Sequence, residues 1–274
     1  MAYNFLIIGG DKRLKFLAEK LKEDNHIIYT YGNQVDNIVE IDKKEEILNY
    51  DYDIVISSMP LTKDGVNVYA PLSEKTITID DLRTISKNKK MFAGKIKGLL
   101  DGYDILDDEE LTILNTIPTA EGAIGLAMEE TNYTLDGRKV LVMGFGRVGK
   151  TLANKLSKMG LDVYCEARNN EDLAWIKAYG YKPIELKEVK NILCKMDIIF
   201  NTVPIQILDK NMLILLNKKT LIIDLASAPG GVDFDTAKKL GIKAILASAL
   251  PGKVAPETAA EYIKNCVYKN VWKK

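Results

Sequence analysis

The chain predicts an α/β protein made of two doubly wound parallel-sheet domains joined by a bridging helix. Three observations lead there. Short apolar runs alternate with amphipathic segments from end to end, the pattern of strands buried on both faces and covered by helices. The 274 residues are long for one core and comfortable for two. In the second half, a glycine-rich turn interrupts a strand-to-helix transition and marks a fresh start of the alternation.

In the first half the spacing predicts strands at Phe5–Ile8, Ile27–Tyr31, Ile54–Ser57, Thr76–Ile79, Lys90–Ala93 and Tyr103–Leu106. Leu14, Leu17, Ala18 and Leu21 recur at helical spacing between the first two. Asp80 and Asp107 read as helix N-caps, because a short acid can accept orphan N–H groups of the first turn. The stretch TIPTAEGAIGLAMEE then reads as a helix opened by Pro118 and Thr119, with Ala120, Ala123, Ile124 and Ala127 on one small-residue face. NYTLDG turns out of it, which puts the domain boundary near residues 117–137.

From there the elements follow regularly. Strand Val140–Gly144, helix Arg147–Met159, strand Val163–Ala167 and helix Glu171–Tyr179 come first. A short strand at Lys182–Ile184 and a helical Val189–Lys195 follow, then strands Asp197–Asn201, Leu221–Leu225 and Lys243–Ala247. A last helix spans Pro256–Val271 and is expected to return to the first domain. The expected domains are 1–118, a substrate and catalytic domain; 119–250, a dinucleotide-binding domain; and 251–274, the returning helix.

Composition excludes several classes. Lys+Arg and Asp+Glu balance at 38 each, so no net field calls for nucleic acid or an anionic membrane surface. No stretch approaches the roughly 18 apolar residues of a membrane span, and MAYNFLIIGGDKR lacks the basic leader of a signal peptide. Cys165, Cys194 and Cys266 are odd in number and embedded in apolar patterns, which indicates reduced thiols and a cytoplasmic chain. With one histidine and no paired Cys or His, no metal site is expected. His26 opens an apolar strand and reads as structural, and no catalytic triad or paired-carboxylate motif is present.

GFGRVG places Gly144, Gly146 and Gly149 at G-x-G-x-x-G spacing, directly after a strand and at the mouth of a helix. The first glycine permits a tight turn, the second lets backbone approach a pyrophosphate, and the third lets helix and strand pack closely. The helix N-terminus offers free N–H groups and a positive dipole end to the phosphates. With Phe145, Arg147 and Val148 this turn defines a Rossmann dinucleotide site. The fingerprint expects an acid about 20 residues on, to hydrogen-bond the ribose 2′-OH. Glu166 lies near that distance, yet Ala167 takes the strand tip. Arg168 then stands where its planar fork can grip a 2′-phosphate, with Asn169 adding a hydrogen bond. NADP is therefore favoured, with NAD as the alternative.

Ligands of open α/β sheets sit beyond the carboxyl ends of the strands. Three segments face the nicotinamide there: Asn201–Pro204, Asp224–Gly231 and Ala247–Pro256. Thr202, Val203, Pro204, Leu225, Ala226 and Ser227 are the candidates to hold its carboxamide and ring. On the substrate side stand Lys253, after a Pro-Gly turn, and GGDKR with Asp11 and Arg13. Ser57 and Ser58 end another strand with two hydroxyls near Lys63. The GGDKR turn lacks the third glycine, so no second dinucleotide is assigned to it.

PTAEGAIGLAME, VLVMGFGRVGKTLA, IFNTVP, IIDLASAPGG and LPGKVAPETA, with GGDKR near the start, resemble the dipicolinate synthase A-subunit family through almost the whole chain. The resemblance implies an NADP-linked oxidation of dihydrodipicolinate to dipicolinate, performed with a flavoprotein-like B subunit in the mother cell of a sporulating bacterium. A homo-oligomer is also expected. One departure stands out: family members often carry a basic residue before Pro-Gly-Gly, where this chain has Ala228. Two substrate carboxylates ask for cations on both walls of a cleft, and Arg13 from one domain and Lys253 from the other are the candidates. Lys253 and Glu121 are the catalytic candidates, Glu121 otherwise serving to complement the dipole of its helix. The competing readings are another two-domain NAD(P) dehydrogenase, of the amino-acid, hydroxyacid or methylene-folate kind, and a non-catalytic NADP-binding member of a complex; the only histidine, His26, lies far before the cofactor domain, which counts against the hydroxyacid version.

Overall fold

In the computed structural model, which describes residues 2–227 and 229–272, the chain forms two compact units. One contains the described residues up to Asn115 together with those from Pro251 onward. The other is Thr116–Leu250.

The first unit is built on β1 (Asn4–Ile8), α1 (Lys12–Glu23), β2 (Ile27–Tyr31), β3 (Val39–Glu40), β4 (Ile54–Ser57), α2 (Ile79–Ile85), β5 (Lys90–Ala93), β6 (Tyr103–Asp104) and α3 (Glu109–Leu114). Its strands pair in parallel in the order β3-β2-β1-β4-β5-β6. The alternation within FLII separates two cores. Phe5 and Ile7 meet Leu14, Leu17 and Leu21 of α1 on one face, whereas Leu6 and Ile8 meet Val55, Ile77 and Leu82 on the other.

The second unit comprises α4 (Thr116–Glu130), β7 (Lys139–Met143), α5 (Arg147–Lys158), β8 (Asp162–Ala167), α6 (Asn170–Ala178), β9 (Lys182–Glu185), β10 (Ile198–Asn201), α7 (Lys210–Leu213), β11 (Leu221–Asp224), α8 (Phe234–Leu240) and β12 (Lys243–Leu246). Its parallel sheet runs β12-β11-β10-β7-β8-β9. Counted from each unit's first strand, both sheets have the same order, third-second-first-fourth-fifth-sixth, the doubly wound arrangement. Ala120, Ala123 and Ala127 of α4 are fully buried against the α5 side of this sheet, so the small-residue face lets two helices approach closely.

Two elements close the chain in the first unit, α9 (Leu250–Val254) from Pro251 on and α10 (Pro256–Val271). Ala260, Ile263, Cys266 and Val267 of α10 join the α1 core. Burying the larger of these, Ile263 and Val267, contributes about 1.5–3 kcal/mol each. A polar seam runs beside it. Asp24 accepts from the Tyr268 hydroxyl at 2.7 Å and from Lys264 at 3.0 Å. His26 accepts the Tyr3 N–H at Nδ1 (3.1 Å), leaving Nε2 to meet the Tyr268 oxygen at 3.0 Å. Burial holds the His26 pKa below its ordinary value. The ring is thereby a structural tie between the start of β2 and α10.

Several sequence expectations need correction. Thr76–Ile79 is not a strand: Thr78 makes a single antiparallel bridge to Asn67 and then caps α2. The caps are Thr78 and Asp108, not Asp80 and Asp107, because Thr78 and Asp81 close a reciprocal capping box and the Asp108 carboxylate accepts from Leu111 N–H. Val189–Lys195 forms two short 3-10 turns rather than one helix. Tyr103–Leu106 is a strand only over Tyr103–Asp104, since Asp104 accepts from Leu106 N–H and starts a 3-10 turn.

Candidate dinucleotide site

The site grows from the β7–α5 connection. Gly144 has φ +88°, and a Cβ there would stand 2.6 Å from the Thr202 hydroxyl and 2.8 Å from Val203. A Cβ on Gly149 would overlap the carbonyl oxygen of Gly144. Glycine is thus required at both places by close backbone approach. Gly146 differs. It is the N-cap of α5, no side chain caps the helix there, and a Cβ would meet nothing within 4 Å. The mouth of α5 thus has no side-chain cap at Gly146 and room for a group brought close to that glycine, as a pyrophosphate requires. The turn fits a dinucleotide on geometry alone.

At the end of β8, Glu166 is buried and its Oε2 accepts the Gly144 N–H at 3.0 Å. Burial raises its pKa, against which the Gly144 N–H and the charge of Arg168 act more weakly. Ala167 is buried at the strand tip, and Arg168 is exposed directly after it. Asn169 is engaged elsewhere: its Oδ1 caps α6 by accepting from Asp172 N–H at 2.7 Å, and its amide donates to the Asp172 carboxylate.

Past β10, the Thr202 hydroxyl donates to the Met143 carbonyl at 2.9 Å and so ties the β10 loop to the strand before the glycine turn. Pro204 and Ser227 are exposed, Val203 and Leu225 half-buried, and Ala226 buried. Ala228 lies outside the described residues. A buried pair that the sequence reading missed holds these loops. Asn201 donates to Asp224 at 2.8 Å, and Asp224 accepts from Gly231 N–H at 2.7 Å and Ala226 N–H at 3.1 Å. Its sequence signal is a polar residue closing each of two apolar runs, IIFN and LIID.

The other candidates fall differently. Arg13 is nearly buried, donating Nε and Nη2 to the Asp11 carboxylate and Nη2 to the Met59 carbonyl at 2.7 Å. Asp11 also caps α1 through the Arg13 N–H. Ser57 and Ser58 are fully buried, with their hydroxyls donated to the carbonyls of Ile8 and Leu61. Glu121 pairs with Lys155 at 2.8 Å across α4 and α5. Lys253 is exposed in α9 and belongs to the same unit as Arg13, not to the opposite one. A Cβ at neighbouring Gly252 would stand 3.0 Å from Arg13 Nε and 2.9 Å from Asp11 Oδ2, so the backbone next to Lys253 packs closely on the Asp11–Arg13 pair.

A doubly wound sheet with an open glycine turn defines a nicotinamide-dinucleotide-binding protein of the dehydrogenase type. Residues 120–238 match the family described as "D-isomer specific 2-hydroxyacid dehydrogenase, NAD binding domain", and residues 4–111 match the family of the N-terminal domain of the dipicolinate synthase A subunit. The A subunit of dipicolinate synthase from Bacillus subtilis (strain 168) is 35% identical over 96% of this chain and 94% of its own length. The chain belongs to the dipicolinate synthase A-subunit family. The crystal structure of the Bacillus halodurans A subunit superposes with a TM-score of 0.89 at 30% identity, covering 99% of this chain and 98% of the other. The Bacillus subtilis structure gives 0.86 at 33%, covering 99% and 96%. Among the described residues, no helix is long and apolar enough to cross a membrane.

Proposed function

We propose that this chain uses NADP to oxidise dihydrodipicolinate to dipicolinate, working with a flavoprotein-like B subunit in the mother cell of a sporulating bacterium. Membership of the A-subunit family supports the substrate and the partner. The observation that carries the choice of NADP is the end of β8. Ala167 offers no acid at the tip, Glu166 is turned down onto Gly144, and Arg168 is exposed beside them. A guanidinium placed there suits a 2′-phosphate.

The dinucleotide, when bound, supplies the hydride acceptor. The product ring is aromatic, so the protein has mainly to position a ring carbon and let one proton leave. Lys253, exposed in α9, is our candidate cation for a substrate carboxylate. Arg13, engaged by Asp11 and Met59, serves that purpose less directly and instead seats Gly252, and with it Lys253. Glu121, held by Lys155, acts in positioning α4 against α5.

The test is to mix the purified chain with NADP and dihydrodipicolinate, alone and with the B subunit, and follow nicotinamide reduction and dipicolinate together. Stoichiometric NADPH and dipicolinate support the reading. Dipicolinate formed without any NADP reduction, under either condition, refutes the oxidative role. Lys253→Ala is expected to raise KM with little change in kcat; an unchanged KM removes Lys253 from substrate binding.

A further inference from the structure

Beneath the glycine turn lies a carboxyl group that phosphate binding does not by itself call for. Glu166 is 2% exposed, one oxygen accepts the Gly144 N–H at 3.0 Å, and the other, Oε1, is buried without a hydrogen-bond partner. An ionised carboxylate can accept several hydrogen bonds, and this one receives a single neutral donor from the protein. Such an environment suits the protonated form, whose second oxygen needs no strong donor.

The surrounding charges do not alter that. Arg168 follows at the strand end and favours the ionised form, but it is exposed and its effect is the weakest of those acting on Glu166. Of the elements packed on β8, β9 and the 3-10 turn after it bring Lys182, Glu185, Lys187, Glu188 and Lys190. Lys182 is paired with Asp162 of β8 itself, and Lys187 with Glu185. From α5, Lys150 pairs with Asp172 of α6 and Lys155 with Glu121. Arg147 and Lys158 of α5, Glu171 and Lys177 of α6 and Lys139 of β7 complete the set. None of these places a hydrogen bond on Glu166 Oε1.

We propose that Glu166 is a proton-coupled positioning residue: it holds the Gly144 amide in place, and binding of a dinucleotide on the turn above makes it take up or retain a proton. The inference rests on the dinucleotide reading of this site. A pyrophosphate at the N-terminus of α5 brings negative charge next to the glycine whose amide Glu166 holds. Two anions so close, one of them buried, disfavour each other, so the carboxylate gains a proton from solvent and becomes a neutral carboxyl. Affinity is then highest at low pH, where the free chain already carries the proton. It weakens as pH rises through the free chain's Glu166 pKa and levels off above the bound chain's higher value.

Calorimetric titration tests this with the full chain and with Glu166→Gln, a neutral isostere that keeps the oxygen facing Gly144. NADH and NADPH are titrated at several values between about pH 6 and pH 9, in pairs of buffers with different ionisation enthalpies. The wild-type chain is expected to take up a fraction of a proton per dinucleotide, with Kd rising by up to about tenfold per pH unit within the titrating window. Glu166→Gln is expected to lose both effects with NADH and hold its low-pH affinity at high pH. NADPH adds the protonation of its own 2′-phosphate, with a pKa near about 6, and the difference between the two chains removes it. Wild-type binding without proton exchange across the whole range overturns the coupling, as does unchanged uptake in Glu166→Gln. Absence of binding by either dinucleotide overturns the cofactor reading, and the coupling with it. Should Glu166→Gln fail a thermal-unfolding check, the wild-type proton count still decides the matter.

Discussion

The two sheets share one strand order, yet their first turns treat the helix that follows in opposite ways. In the first unit Gly9 follows β1, Asp11 caps α1, and Leu14 fills the core. In the second unit Gly144, Gly146 and Gly149 hold the corresponding places after β7. Asp11 accepts the Arg13 N–H and grips the Arg13 guanidinium, so the amino end of α1 already has its anion from within the chain. Gly146 has no side chain to supply such a group, and a Cβ there would meet open space, so the cap position of α5 has room for an anion brought from outside. Topology is therefore not what makes a dinucleotide site. The residue at the helix cap and the one three places on decide it.

The sharpest way to break this contrast is to give the second turn the cap of the first. Gly146 has φ −76° and ψ −163°, which any residue adopts, and a Cβ there enters open space. Gly146→Asp should thus fold with unchanged or slightly raised stability, within a few tenths of a kcal/mol. Its carboxylate then competes with the pyrophosphate for the same N–H groups, and like charges in contact cost several kcal/mol. Dinucleotide affinity is expected to fall by about 100-fold or more, read by nicotinamide fluorescence. Retained affinity would show that the phosphates do not use this turn. Gly149→Ala attacks the other determinant. Its methyl overlaps Gly144 O, so α5 must move off β7, at a cost of about 1–3 kcal/mol in a denaturant melt together with weakened binding.

How far the sequence foretells this depends on the scale of the feature. Parallel strands were legible because IVIS, IIFN and LIID are buried on both faces and read as unbroken apolar runs. The glycine turn was legible for a similar reason, since steric demand leaves no substitute at Gly144 and Gly149. Thr76–Ile79 misled because β-branched residues satisfy the strand pattern equally well. The deciding signal was Thr78 and Asp81 at capping-box spacing. Short α7 and α8 carry too few residues for a period to emerge. The hydroxyls of Ser57 and Ser58 looked available because sequence shows donors and not the nearby carbonyls that take them up. Asp11 and Arg13 looked like a ligand grip for the same reason: two residues apart in sequence, they answer each other.

The next prediction asks which group reads the ribose. Arg168→Ala is expected to remove about 1.5–3 kcal/mol of NADPH binding, the worth of a charge-assisted hydrogen bond. NADH affinity should stay close to its original value, so the NADPH/NADH preference falls by about 10- to 100-fold. Equal loss for both dinucleotides would place Arg168 on the pyrophosphate or the fold, and an unchanged ratio would take it off the cofactor.

The smallest effect expected returns to the first turn. Asp11→Asn keeps an oxygen for the Arg13 N–H and therefore keeps the cap, but it removes the charge that faces the guanidinium at 2.8 Å. The pair is largely shielded from water, with side chains 10% and 19% exposed, so screening does not cancel the loss. Arg13 still has the Met59 carbonyl, which limits the damage. Stability should fall by about 1–2 kcal/mol, measured as a lower denaturation midpoint at constant slope. Dinucleotide affinity should not change, because Leu14 occupies the place where a second phosphate turn needs glycine, and the first turn therefore stays closed even without its anion. An Asp11→Asn chain that bound a second dinucleotide would show that charge alone had kept that turn shut. One that lost its single dinucleotide would show that the two turns are not independent, and the contrast drawn between them would fail.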